Sequence, residues 1–197
     1  MATRHDKREI ENECFLEGKL LIALPGMPDD RFQQTVIYIC AHSASGAMGI
    51  VINKPIPGLS FANLMDQLEI ATDARHGDFP ILFGGPVENS RGFVLHSNDY
   101  ESTDATLSVS DNISLTATVD ILCALAEGRG PKRAILALGY AGWGPGQVET
   151  EFQDNGWLHC DADPSLVFDT EPETLWRAAL EQLGIDPTSL SANTGRA

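Results

Sequence analysis

The sequence has few basic residues, no long apolar run and no closely spaced pair of cysteines. Its 197 residues include 13 Lys and Arg against 28 Asp and Glu, so the formal net charge at pH 7 is −15. A surface this negative repels phosphate backbones, and we therefore expect no direct binding to DNA or RNA. Basic residues cluster only at positions 4–8 and 129–133, and neither cluster is interleaved with aromatic side chains.

No apolar run approaches the roughly 20 residues that a membrane-spanning helix needs. The N-terminal segment carries charges in place of the apolar stretch of a secretory signal. Four cysteines, Cys14, Cys40, Cys123 and Cys160, are widely separated and form no CxxC pair. These absences predict a cytoplasmic protein with free thiols and no membrane partner.

Sequence patterns that mark catalytic, metal or cofactor sites are also missing. There is no G-x-S-x-G nucleophile motif and no H-E-x-x-H metal motif. A dinucleotide fingerprint beginning at Gly142 would need glycine at position 147, which is Gln147, and no phosphate loop ends in Gly-Lys-Ser/Thr. The histidines show no metal-ligand spacing. We therefore expect no catalytic residue, no metal and no cofactor.

One enzymatic alternative stays open at this level. Cys40 and His42 lie two residues apart on a predicted strand, so their side chains are expected on the same side, where the imidazole could activate the thiolate. The alternative is a hydrolase or transferase that uses Cys40 or His96 with a neighbouring carboxylate. Against it, Cys40 ends an apolar strand, where a buried and inert thiol is the commoner outcome.

The order of predicted elements favours an α+β protein with a mixed sheet, because strands come in clusters with single helices between them. Ser60 is a good N-cap for one helix, and Thr170 with Glu173 predicts a capping box for the last one. A further helix is predicted from Leu115 to Ala126. We expect a single domain over residues 1–197, with 1–14 and 186–197 as mobile tails. Strands are predicted at 19–24, 35–40, 47–53, 80–83, 92–96, 107–109, 134–138 and 157–160.

The glycine-rich stretch at 139–149 is the most distinctive part of the chain. It follows the apolar run at 134–138, and we predict a strand, a turn beginning at Gly139 and a helix with Pro145 in its first turn. A phosphate cradle at this helix start is the weaker interpretation, because Glu149 and Glu151 would oppose a polyanion. The stretch is predicted to be a tight structural turn packed by aromatic side chains.

Six segments of the chain form a recognisable set: LIALPGM at 21–27, GAMGIVINK at 46–54, FGGPV at 83–87, GFVLH at 92–96, GYAGWGPGQ at 139–147 and NGWL at 155–158. In their order and spacing they resemble the YqgE/AlgH family of bacterial proteins, whose members are often labelled transcriptional regulators. The resemblance covers roughly residues 15–185. The resemblance implies a complex α+β fold, in which a bifurcated mixed β-sheet with a small barrel-like part is surrounded by helices.

The resemblance implies no reaction mechanism, and the sequence contains no helix-turn-helix. We therefore expect a non-enzymatic regulator that acts indirectly, through a small ligand or a protein partner. If the motifs at the strand ends converge, they form one ligand site with aromatic and amide groups at its centre. The predicted site residues are Tyr140, Gly142, Trp143, Gly144 and Gln147, with Asn53, Lys54 and His96 as polar contributors and Gly84 and Gly85 allowing close approach.

Overall fold

The computed structural model describes residues 15–25, 27, 29–72, 79–102 and 105–191. Its strands are β1 (Lys19–Ala23), β2 (Val36–Ser43), β3 (Gly46–Val51), β4 (Pro55–Ser60), β5 (Pro80–Phe83), β6 (Val87–Ser97), β7 (Thr106–Ser108), β8 (Ile113–Thr116), β9 (Ala134–Trp143) and β10 (Trp157–Asp161). Its helices are α1 (Phe61–Gln67), α2 (Val119–Ala126), α3 (Gln147–Gln153), α4 (Pro164–Phe168), α5 (Pro172–Gln182) and α6 (Pro187–Ser191). A 3-10 turn, Asp30–Phe32, follows β1.

The strands form one ten-stranded sheet in the order β10-β1-β2-β3-β9-β6-β8-β7. Strand β5 lies off this path. It pairs with β9 in parallel and with β4 in the antiparallel direction. The remaining pairs are antiparallel, and the sheet curls strongly into a half-barrel. The predicted α+β class, with a mixed and bifurcated sheet that is partly barrel-like, is confirmed.

The sheet branches at β9, because this strand has three partners: β3 pairs with its end at residues 141–143, whereas β5 and β6 pair with Ala137 and Leu138. Strands β5 and β6 lie on opposite sides of these two residues. The short link from β5 to β6 therefore has to cross over β9. A Cβ at Gly84 would stand 2.2 Å from the carbonyl oxygen of Gly139, and one at Gly85 would stand 2.0 Å from the carbonyl carbon of Tyr140. The crossing is possible only because both residues lack a side chain.

This crossing also corrects the prediction for the central stretch. Strand β9 does not end at Leu138 but runs on through Gly139 to Trp143. Gly139, with φ of 74°, accommodates the passing backbone of Gly85 instead of starting a turn. The turn is confined to residues 144–146, and α3 begins at Gln147, so Pro145 lies before the helix and not in its first turn.

Two predictions at helix starts were wrong and one is confirmed. Leu115 lies in β8, paired with Leu95 and Leu107, and α2 begins only after Thr118. Helix α5 has no Thr170–Glu173 capping box, because Pro172 at its first position places the N-cap at residue 171. Ser60 does cap α1, and its side chain and that of Asn63 form a reciprocal capping box.

Alternating strand residues divide the interior into separate cores. Leu20 and Ile22 of β1 face a central core, which α5 also enters. Leu21 and Ala23 face the opposite side, a second core that Val148 of α3 covers. A third core lies beneath α1 and α2. The second core leads to the candidate site, because its polar rim is where α3, β9 and β10 meet.

Of the predicted mobile tails, residues 1–14 and 192–197 lie outside the described residues, whereas Pro187–Ser191 forms α6. Among the described helices, none is long and apolar enough to cross a membrane.

Candidate functional site

A cleft of about 290 Å³ opens where the end of β9, helix α3, the start of β10 and the segment after β1 come together. Its apolar lining consists of Met27, Phe32, Pro86, Ala141, Trp143 and Trp157. Its polar lining consists of Asp29, Arg31, Gln147 and Glu151, with the exposed Gly142 between them. An apolar and aromatic wall with a few convergent polar groups is the usual composition of a ligand site.

The floor of the cleft is organised around the carboxylate of Glu151. Trp143 Nε1 donates a hydrogen bond to Glu151 Oε2 at 2.9 Å, and Trp157 Nε1 donates to the same oxygen at 2.7 Å. The two indole rings stand nearly perpendicular, with centroids 6.2 Å apart and an interplanar angle of 77°. Because these hydrogen bonds go to an ionised acceptor, they hold both rings and the carboxylate in one arrangement.

Gln147 completes this network. Its Nε2 donates to Glu151 Oε1 at 2.9 Å, which the one-turn spacing along α3 allows, and its Oε1 accepts from the backbone N–H of Gly144 at 3.0 Å. Glu151 thus accepts three hydrogen bonds in total, two on Oε2 and one on Oε1. A carboxylate has about four acceptor positions, so one position on Oε1 is left without a donor among the described residues.

The rim of the cleft carries an ion pair next to an aromatic ring. Arg31 donates from Nη2 to Asp29 Oδ2 at 2.6 Å and from Nε to Asp29 Oδ1 at 3.0 Å, and this contact lowers the pKa of Asp29. The Arg31 guanidinium also stands 5.8 Å from the centre of the Phe32 ring. Phe32 in turn meets Trp157 edge-on, with ring centroids 5.9 Å apart.

Behind the cleft, His42 joins α3 to the start of the described chain. Its Nδ1 accepts from the backbone N–H of Leu16 at 3.0 Å, so its Nε2 carries the proton and donates to Glu149 Oε1 at 3.0 Å. The imidazole is buried, and Phe15 packs against it edge-on. His42 therefore positions α3 and does not line the cleft.

Three of the predicted site residues, Gly142, Trp143 and Gln147, line the cleft. Gly144 lies beside it as the backbone donor to Gln147. Tyr140 does not line it, because alternation along β9 turns this side chain towards the central core, where it packs edge-on against Phe93.

The other predicted contributors lie elsewhere and serve the fold. Asn53 is buried, accepts from the backbone N–H of Val36 at 2.8 Å and donates to the carbonyl of Gln34 at 2.8 Å. Lys54 accepts a hydrogen bond from Phe83 N–H through its own carbonyl, and partial burial lowers the pKa of its amine. Gly84 and Gly85 form the crossing over β9. The expectation that all these motifs share one pocket was wrong, since strand-end residues here mostly satisfy backbone groups.

His96 is fully buried in a chain of hydrogen bonds away from the cleft. Its Nδ1–H donates to the carbonyl of Ser97 at 2.9 Å, and its Nε2 accepts from Thr116 Oγ1 at 2.9 Å. Thr116 Oγ1 is bonded at 2.8 Å to Thr106 Oγ1. Burial lowers the pKa of His96, which keeps the imidazole neutral.

The predicted pairing of Cys40 with His42 was wrong. A β-bulge between Ile39 and Ala41 adds one residue to β2, and this reverses the alternation of side chains beyond it. Cys40 faces the central core with no exposure, whereas His42 faces α3 on the opposite side of the sheet. Burial raises the pKa of the Cys40 thiol. Within the described ranges, no three His, Cys, Asp or Glu side chains are placed to hold a metal ion.

Sequence reasoning missed Glu151 and Trp157 as parts of the site, and it also missed four lining residues after β1: Met27, Asp29, Arg31 and Phe32. Glu151 lies four residues after Gln147, a spacing that places both side chains on one helical face, and this signal was available. Trp157 reaches the cleft because β10 pairs with β1, where Ala23 lies opposite Trp157. That long-range pairing had no local signal.

Comparison with known proteins finds matches that cover most of the chain. Residues 20–188 match the model of a family described as AlgH-like. The chain is similar to a UPF0301 protein of Rhodopseudomonas palustris (strain HaA2), with 57% identity over 195 residues, 95% of this chain and 89% of that protein. It is also similar to a UPF0301 protein of Nitrobacter hamburgensis, with 53% identity over 193 residues, 94% of this chain and 89% of that protein.

Two solved structures share the fold. The solution structure of the AlgH protein from Pseudomonas aeruginosa matches with a TM-score of 0.76 and 42% identity, over 93% of this chain and 97% of that one. A crystal structure from Corynebacterium diphtheriae matches with a TM-score of 0.69 over 92% of this chain and 96% of that one. At 19% identity, the second match concerns the fold alone.

Proposed function

This chain belongs to the AlgH-like family, and we propose that it is a non-enzymatic binding protein that acts in regulation indirectly. In this proposal the cleft floored by Trp143 and Trp157 receives a small ligand or a side chain of a protein partner. Binding in the cleft then changes which other molecules the protein interacts with.

The observation that carries the proposal is the preorganised floor of the cleft. Two indole N–H groups and one amide N–H fix the carboxylate of Glu151 before any ligand arrives. Rings held in this way lose little conformational entropy on binding, which favours affinity. The cleft volume of about 290 Å³ is close to the lower end of the range for small-molecule sites.

The enzymatic alternative is not preferred, because the two groups on which it depends are not in the cleft. Cys40 and His96 are both buried with no exposure, and neither lines the described cavity. Burial raises the pKa of the Cys40 thiol, whereas a nucleophilic cysteine needs a lowered one. His96 has both ring nitrogens engaged within the fold.

We also propose that the protein is cytoplasmic and that any role in regulation does not involve direct contact with nucleic acid. Cys40, Cys123 and Cys160 are free thiols, which suits a reducing compartment. The net charge of −15 opposes the counterion release that drives nonspecific DNA binding. Arg129 and Arg133, from the basic cluster at 129–133, are each bonded to a carboxylate, Glu127 and Asp169.

A thermal-shift screen of the purified protein against metabolites, nucleotides and amines tests the proposal, because a compound that binds only the folded state raises the melting temperature. We expect at least one compound to raise it in the wild type and to lose this effect in Gln147→Ala. The control is Gln182→Ala, the same change on α5, which should keep the full shift. If every shift persists in Gln147→Ala, the cleft is not the binding site.

A further inference from the structure

We infer that the group received in this cleft is an organic cation on an apolar body: an alkylammonium or guanidinium group. The inference rests on the proposed function, since it names the ligand chemistry of the same cleft. Three observations support it. The carboxylate of Glu151 has no counter-ion among the described residues, aromatic rings surround it, and the Arg31 guanidinium already lies against one of these rings.

The carboxylate of Glu151 is the charge left without a counter-ion in the lining. The lining also contains Asp29 and Arg31, but these two side chains are bonded to each other. Within the described part of the chain, no Lys or Arg is ion-paired with Glu151. Its three hydrogen bonds come from neutral N–H groups, which fix the carboxylate but leave its negative charge in place.

The rings around this carboxylate pack edge-to-face against one another. Trp143 meets Trp157 at 77°, and Phe32 meets Trp157 at 69°. The electron-rich face of an aromatic ring attracts a cation, most strongly for tryptophan, and several rings around one cation form the sites that bind quaternary ammonium groups. Trp143 and Trp157 are 7% and 3% exposed, so they form a floor, while the half-buried Phe32 and Met27 form the accessible wall.

One cation of the protein itself already lies against a ring of this wall. The Arg31 guanidinium stands 5.8 Å from the centre of the Phe32 ring while it is bonded to Asp29. A ligand cation placed deeper in the cleft would repeat the same pair of contacts, with a carboxylate on one side and aromatic rings on the other. The overall charge of −15 favours the approach of a cationic ligand and disfavours an anionic one.

The test compares three ligands that share a compact head with three methyl groups and differ in charge. The probes are choline, its neutral isostere with a tert-butyl group in place of trimethylammonium, and the anion pivalate. Calorimetric titration of the full chain is expected to give about tenfold tighter binding of choline than of the isostere, and no binding of pivalate. The Glu151→Gln variant keeps an oxygen acceptor for the indoles but loses the charge. In this variant the ratio of the dissociation constants of isostere and choline should fall from about ten towards one. Glu173→Gln, an exposed site on α5, is the matched control and should keep it.

A second pair of probes identifies the source of the cation. N-acetylarginine amide and N-acetylcitrulline amide present the same contrast of charge on an amino-acid side chain. A preference confined to choline indicates a free small ligand, and a preference for the arginine compound indicates a basic side chain of a partner; either supports the inference. Equal binding of charged and neutral probes in both pairs, or a preference that survives in Glu151→Gln, overturns it and leaves the proposed function standing.

If no probe binds, the inference is overturned, and the thermal-shift screen then decides the proposed function separately. A cleft ligand found by that screen would keep the cleft as a binding site for a group of other chemistry. No cleft ligand in the screen would remove the proposed function as well.

Discussion

The indole N–H groups of Trp143 and Trp157 both donate to a single atom, Oε2 of Glu151, at 2.9 and 2.7 Å. One tryptophan ends β9 and the other begins β10, so the shared acceptor joins two strands that are not neighbours in the sheet. Helix α3, which carries Glu151, therefore both closes the second core and builds the floor of the cleft.

The first prediction concerns the stability that this shared acceptor provides. In Glu151→Ala both indole donors lose their partner, and we expect the free energy of unfolding to fall by about 2 kcal/mol. Glu151→Gln should lose less, because its amide oxygen still accepts from the indoles. Urea unfolding measures both, with the exposed Glu173→Ala as control. A Glu151→Ala variant as stable as that control would mean that water replaces the carboxylate without cost.

The crossing of β9 gives a second prediction. In Gly85→Ala the new Cβ would stand 2.0 Å from the carbonyl carbon of Tyr140, so the backbone must move. We expect a loss of more than about 3 kcal/mol, or no folding, since a buried overlap of this kind adds to the strain of a positive φ. Gly58→Ala is the matched control: its φ is +74° but nothing lies within 4 Å of its Cβ. It should cost about 1 kcal/mol from backbone strain alone.

Comparable losses for Gly85→Ala and Gly58→Ala, measured by thermal unfolding, would contradict the crossing. They would mean that positive φ, and not the close approach to β9, is what requires glycine at position 85.

Much of the sheet could be predicted from the sequence, because strands such as β2 and β5 are short runs of apolar and β-branched residues. The branch at β9 could not. Gly139 suggested a turn, and only the pairing of β9 with β5 and β6 together shows that glycine is needed at this position for a crossing. Local sequence indicates that a position needs conformational freedom or space, but not which neighbour imposes it.

The candidate site could be predicted only in part, because long-range strand pairing brings some of its residues together. Trp143 and Gln147 lie on one continuous segment, so their proximity follows from local structure. Trp157 and Phe32 arrive through the pairing of β1 with β10 and β2, which no local pattern announces. Asn53 and His96 were included because polar residues at strand ends are often functional, yet here they satisfy buried backbone and hydroxyl groups.

A third prediction is a pH dependence from His96. Burial lowers its pKa in the folded protein, while in the unfolded chain it returns to about 6.5. Below that pH the unfolded chain takes up a proton that the folded protein resists, so stability is lost as the pH falls below about 6.5. Unfolding free energies between about pH 7 and pH 5.5 should fall less steeply in His96→Gln than in the wild type. Identical slopes would show that His96 titrates normally in the fold.

The fourth prediction concerns thiol reactivity and bears on the enzymatic alternative. Burial raises the pKa of Cys40, and it raises that of Cys160 to about 11. Iodoacetamide at neutral pH should therefore leave Cys40 unmodified in the native protein and modify it after unfolding. Peptide mapping by mass spectrometry reports each site separately. Rapid alkylation of native Cys40 would support a catalytic role for this thiol.

If the Trp143–Trp157 cleft binds an organic cation, the tryptophans themselves report the binding. The chain has three tryptophans, and Trp176 lies outside the cleft with its Nε1 donating to the carbonyl of Ala23 at 2.8 Å. Nuclear magnetic resonance resolves one indole N–H signal for each ring. Titration with choline or with N-acetylarginine amide should shift the signals of Trp143 and Trp157 saturably and leave that of Trp176 in place. If both titrations move none of the three signals, or move that of Trp176 alone, the cleft does not bind an organic cation.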